Sequence, residues 1–141
     1  MYHSRSAAQL IGKLSNRLRR RIDRLSSGGP FSGAQGRALH LLLAQDEEVC
    51  QRDVEEALGL RPPTATELLK RMEAGGLICR EPSPRDGRRK RILVSQKAQN
   101  CRSLVMEGLG GLEEELTRGL TEEELESFLR TAEKMLANLG E

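Results

Sequence analysis

The sequence predicts a mainly α-helical fold with one small β-hairpin, and three observations carry that prediction. Apolar residues recur at three-and-four spacing through most of the 141 residues, which is the period of a helix with one buried face. The apolar content is largely leucine, and the only aromatic residues are Tyr2, Phe31 and Phe128. A core so composed must be aliphatic, and such usage favours helices. The period breaks in one region only, where the short apolar runs Leu77-Ile78-Cys79 and Ile92-Leu93-Val94 bracket Pro82, Pro84 and Asp86-Gly87. The length suits a single domain.

Each element has its own warrant. From Gln9 to Leu25, the residues Leu10, Ile11, Leu14, Leu18, Ile22 and Leu25 form one stripe with arginines opposite, and Ser26-Ser27-Gly28-Gly29-Pro30 ends the helix. Ser32 can cap a second helix running through Ala44, whose Leu39, Leu41, Leu42 and Leu43 are apolar nearly all round and call for burial on most sides. A third helix, Gln51 to Leu58, presents Val54, Ala57 and Leu58 on one face, and Gly59 is its left-handed stop. Pro62-Pro63 suit the first turn of a fourth helix, where a missing N–H costs least, with Ala65, Leu68, Leu69 and Met72 as its inward stripe and Gly75-Gly76 as its end. Two helices joined by so tight a Gly-containing turn form a helix-turn-helix. The two apolar runs after it read as antiparallel strands with a turn at Asp86-Gly87, which makes the region a winged helix. Beyond it, Leu104, Val105, Leu109, Leu112 and Leu116 form another stripe. Thr121 with Glu124 is a capping box opening a last helix that carries Leu125, Phe128, Leu129, Ala132, Met135, Leu136 and Leu139. The terminal helices hold more apolar surface than one winged helix can cover, which points to burial against a partner chain.

Charge and cysteine usage narrow the function classes. The net charge is only +2, yet residues 1 to 43 carry eight Lys/Arg against Asp23 alone, while residues 107 to 141 carry ten Glu against Arg118, Arg130 and Lys134. Cys50, Cys79 and Cys101 are odd in number and include no C-x-x-C pair, which argues against a disulfide framework and a thiolate zinc site, and the expected setting is a reducing cytoplasm. No apolar run suggests a leader or a membrane span. His3 and His40 have no carboxylate or cysteine at ligand spacing, and no phosphate loop, G-x-S-x-G elbow or H-E-x-x-H is present. The sequence therefore calls for no metal, no cofactor and no enzymatic activity.

The segment Leu60-Arg61-Pro62-Pro63-Thr64-Ala65-Thr66-Glu67-Leu68-Leu69-Lys70-Arg71-Met72-Glu73 is similar to the recognition-helix segment of MarR-type transcriptional regulators. Gly76-Leu77-Ile78 resembles that family's entry to the wing. Asp86-Gly87-Arg88 and the exit Leu93-Val94-Ser95 resemble its D-x-R wing signature and strand end. The resemblance covers nearly the whole chain. It implies a homodimer whose N-terminal helix (1–30) and C-terminal helices (99–141) intertwine around the winged helix-turn-helix regions (31–98). It further implies a pseudo-palindromic double-stranded DNA operator, and repression relieved by a small-molecule effector.

Chemistry assigns roles within that frame. The cations Arg85, Arg88, Arg89, Lys90 and Arg91 suit phosphate neutralisation and make affinity salt-dependent. By resemblance, Arg88 enters the minor groove with Asp86 as its brace. Strand alternation would put Arg89 and Arg91 on one face and Arg88 and Lys90 on the other. On the recognition helix, Thr64, Glu67 and Arg71 face outward, with Thr66 and Lys70 at the margins and Pro63 in the first turn. Glu67 stands where the family often has a cation and can accept from cytosine N4. Each cysteine is expected to be a small buried residue. Two alternatives stay open: a redox-sensing version of the same regulator acting through Cys50 or Cys79, and a winged-helix protein-interaction module that never meets DNA.

Overall fold

The computed structural model describes residues 6 to 140; Tyr2 and His3 lie outside them. Helix α1 spans Ala7–Ser26, capped by Ser6, whose hydroxyl accepts from the Gln9 N–H at 3.0 Å. Helix α2 spans Gly33–Ala44 and opens with the reciprocal bonds of a capping box between Ser32 and Gln35. Helix α3 spans Gln51–Leu58 and α4 spans Pro62–Ala74, with Pro62 and Pro63 in the first turn as the sequence predicts. After the hairpin come a short helix α5, Gln96–Gln99, then α6, Arg102–Leu116, and α7, Glu122–Leu139. The Thr121–Glu124 capping box of α7 forms in both directions. The Leu104–Leu116 stripe falls on α6, and ahead of it Ser95 caps a separate four-residue turn.

Helices α3 and α4 are held at a fixed angle by the chain reversal at Gly59, which adopts φ 65° and ψ 36°. The left-handed geometry turns the Leu60 N–H back onto the Glu55 carbonyl at 2.9 Å. A Cβ at position 59 meets no neighbour, so the cost of a side chain there is purely conformational. Gly59→Ala is expected to lose about 1 kcal/mol of stability, measurable as a lower urea midpoint at unchanged m-value.

The core lies where α2, α3, α4 and the hairpin converge. Ala38, Leu39, Val54, Ala65, Leu69 and Met72 are fully buried, joined by Leu42, Leu43, Val49, Leu77, Ile78 and Ile92. The inward stripe of α4 is thus as predicted, except that Leu68 is half-buried. On α3 Ala57 is exposed, so the buried face there is narrower than its sequence suggests.

Strands β1, Ile78–Pro82, and β2, Lys90–Val94, pair antiparallel from Ile78 opposite Val94 to Pro82 opposite Lys90. Leu77 is not part of β1. Its N–H closes the end of α4 on the Met72 carbonyl and its carbonyl accepts from Ser95, while its side chain fills the core. Cys79, expected buried, is exposed, because it lies on the outer face of the hairpin between inward Ile78 and half-buried Arg80.

By its internal contacts the chain divides into two units after Leu109. The first holds the core. The second comprises the end of α6 with α7, whose Phe128, Leu129, Leu136 and Leu139 are exposed. In the first unit, Leu10, Ile11, Leu14 and Leu25 of α1 are also exposed.

Candidate nucleic-acid interface

The outward face of α4 is the one its sequence predicts. Pro63, Thr64, Glu67, Lys70 and Arg71 are exposed opposite the buried Ala65, Leu69 and Met72. Arg61 at the N-cap gives no side-chain bond to the helix end, and the two prolines remove two of the N–H groups that a helix start normally offers. This end of α4 is therefore poorer in backbone donors for phosphate than an ordinary helix start, and its contacts fall to side chains.

Thr66 is turned differently. Its hydroxyl donates to the Pro62 carbonyl at 2.9 Å and accepts from Gln51 Nε2 at 2.8 Å. Gln51 also donates to Glu55 and accepts from Arg80 at 3.3 Å, and Arg80 in turn holds Glu73 at 2.6 Å. One network thus ties the start of α3, both ends of α4 and the middle of β1, fixing the pose of the recognition helix. Residues so far apart in sequence leave no local signal, and Gln51 and Arg80 were not anticipated.

The wing is organised by a buried serine. Ser83 donates its hydroxyl to Glu48 at 2.7 Å and accepts from the N–H groups of Arg85 and Asp86 at 3.1 and 3.3 Å. Its own N–H reaches the Arg89 carbonyl at 2.8 Å, closing a loop from Ser83 to Arg89. A serine set between Pro82 and Pro84 at a strand end is a local turn signal that could have pointed to it. The tip is a turn with the Arg89 N–H on the Asp86 carbonyl at 2.9 Å. Gly87 within it is not left-handed, so the connection is a longer loop than a two-residue hairpin turn.

The four consecutive cations separate. Arg88 stands at the tip, its side chain 94% exposed, with its N–H on Asp86 Oδ1 at 3.1 Å and its Nε 3.5 Å from the same oxygen. Asp86 thus meets Arg88 as the brace that the resemblance implies. Because β2 starts only at Lys90, Arg88 and Arg89 lie outside the strand and the alternation expected of all four does not apply. Lys90 is exposed, as is Arg85. Arg91 pairs across the hairpin with Glu81 and is neutralised there. The guanidinium of Arg89 folds back onto the sulfur of Cys50.

Cys50 begins α3. Its N–H donates to Asp53 Oδ2 at 2.9 Å and its thiol approaches the same oxygen at 3.3 Å. Asp53 is held below the ordinary carboxylate range, first by the Cys50 N–H, then by the Cys50 side chain and the Arg89 charge, against the opposing effect of burial. Its contribution to stability is therefore present above the usual aspartate pKa and lost as pH falls through the lowered value. Cys101 is half-buried, and His40 sits half-buried on α2.

Known proteins share this fold. The MarR family's profile matches residues 30–89. The transcription regulator MarR from Oenococcus oeni PSU-1 is 27% identical, with a TM-score of 0.89 over 94% of this chain and 99% of that one. MepR of S. aureus is also 27% identical: its DNA complex superposes with a TM-score of 0.82 over 95% of this chain and 96% of that one. MepR in its DNA-binding conformation gives 0.85 over 96% and 99%. With a family match on the winged helix and a likeness running through the flanking helices, the chain is similar to the MarR family over nearly its whole length.

Proposed function

We propose that the protein is a sequence-specific DNA-binding transcription regulator, a homodimeric repressor that acts by occluding a pseudo-palindromic operator in the cytoplasm. One observation carries this reading: the outward side chains of α4 and the outward cations of the wing lie on one scaffold, locked by the Gln51–Arg80–Glu73 network and by Ser83. That scaffold is similar to one solved on DNA in MepR. Thr64, Glu67, Lys70 and Arg71 are the groove-facing residues of α4, with Pro63 beside them. Arg85 and Lys90 meet phosphate, and Arg88, braced by Asp86, enters the minor groove. Thr66, spent on Gln51 and Pro62, serves the interface by holding α4 in place.

The dimer reading is supported by the apolar residues that α1 and α7 leave exposed, more than a monomer ordinarily shows. They belong to the segments 1–30 and 99–141 that serve as dimerisation helices in this reading. The apolar cavity lined by Ile22, Leu25, Phe31, Leu104 and Val105 is about 20 Å³, room for little more than one water. An effector of aromatic size needs those helices to part, or a second chain to extend the cavity.

Selection of bound DNA from a random pool tests the reading directly. The expected product is a palindrome whose half-sites are about one helical turn apart. Its affinity should fall roughly as a power of salt concentration, with several counterions released. If no sequence is enriched and no complex forms at low salt, the protein is not a DNA-binding regulator, and the interaction-module reading takes its place.

A further inference from the structure

The contact of Arg89 with Cys50 is an interaction of the wing that DNA binding does not absorb. The wing meets the segment Glu48–Asp53 at four places. Glu48 accepts from Ser83, Gln51 accepts from Arg80, the Val49 carbonyl accepts from the Ile92 N–H at 2.8 Å within the backbone bridge of Cys50 to Arg91, and the Cys50 sulfur accepts from Arg89. Three of these involve the strand or the base of the loop. Only the fourth takes hold next to the tip, one residue from Arg88. It ties that tip to Cys50, the N-cap of α3, whose N–H and thiol are both committed to Asp53. The Arg89 guanidinium, though exposed, is directed onto that sulfur, and it stays charged, its pKa raised first by the hydrogen bond to Cys50.

We propose that Arg89 is a positioning residue: seated on Cys50 at the start of α3, it sets the direction of the wing tip and so of Arg88, and does not itself neutralise a phosphate. This rests on the DNA-binding reading above, which it deepens. The geometry accounts for an otherwise odd run of charge. Of the four consecutive cations, Arg91 is paired within the hairpin and Arg89 is turned back to the helix-turn-helix, which leaves Arg88 and Lys90 outward.

The test is a double-mutant cycle on the full chain with Arg89→Ala, Cys50→Ala and the pair, read by affinity for the selected operator over a salt series. Arg89→Ala is expected to weaken binding roughly fivefold, and to have little further effect once Cys50 is alanine, because interacting residues are not additive. The slope of affinity against salt should stay that of the parent. A merely structural weakening would not produce that combination. A slope lowered by about one, with losses that add, identifies a phosphate contact and overturns the proposal.

Amide hydrogen exchange of residues 83 to 91, without DNA, provides an arm independent of the DNA-binding reading. Exchange roughly tenfold faster in both single variants is expected, and unchanged protection in Arg89→Ala overturns the clamp. If the parent binds no DNA, the regulator reading falls, and exchange alone decides whether Arg89 holds the wing.

Discussion

Leu69→Ala is expected to destabilise the protein by about 2–5 kcal/mol, the range for removing a fully buried leucine and leaving a cavity behind. Leu69 has no exposed surface and lies on the inward face of α4, in one cluster with Leu39, Val54, Met72, Leu77 and Ile92. These cluster members come from α2, α3, α4 itself, the turn after it and β2, so collapse into the gap would need several elements to move. A domain of this size is stable by only about 5–15 kcal/mol, and such a loss takes away a large share of it. Urea unfolding at fixed protein concentration measures the effect, concentration being held because any dimer adds its own stabilisation. A loss under about 1 kcal/mol would mean that α4 does not seat on this core as described.

Arg88→Ala is expected to cost about 1–3 kcal/mol of operator affinity, roughly five- to 150-fold, at constant salt. Folding stability should not change measurably, because the side chain is almost wholly in water and its ion pair with Asp86 is exposed. The loss should be largest on operators that are A·T-rich where the wing lands, since a narrow, electronegative minor groove rewards a planar guanidinium. An unchanged dissociation constant would remove Arg88 from the minor groove. Arg89 and Arg88 therefore fail in different ways. The first is expected to keep the salt slope, acting through Cys50, and the second to lower affinity by loss of a direct contact.

Much of the fold could be read from one dimension because its determinants are local. The boundaries of α3 at Gln51 and Leu58, the left-handed Gly59, the prolines opening α4 and the capping box of α7 all follow from residues a few positions apart. The outward face of α4 followed from period alone. Where the reading differed from the structure, distance along the chain is the reason. Alternation along β2 was applied to four cations of which only Lys90 and Arg91 are in the strand, and Thr66 was read as a margin contact without its partner fifteen positions earlier.

By itself the sequence determined the six longer helices, the caps at Ser32 and Thr121 and the order that makes a winged helix; the braced arginine at the wing tip came from the resemblance. Period, capping chemistry and turn residues act within a few residues of one another, and Asp86 is two residues from Arg88. Only the tertiary structure decided which polar groups were left over for another molecule. Ser83 meets Glu48 thirty-five residues away, Arg80 meets Gln51 at twenty-nine and Arg89 meets Cys50 at thirty-nine. A long polar side chain can turn to water, to DNA or to a neighbour at similar cost. The choice is made by what the folded backbone brings within hydrogen-bond reach, and no local pattern in the chain records it.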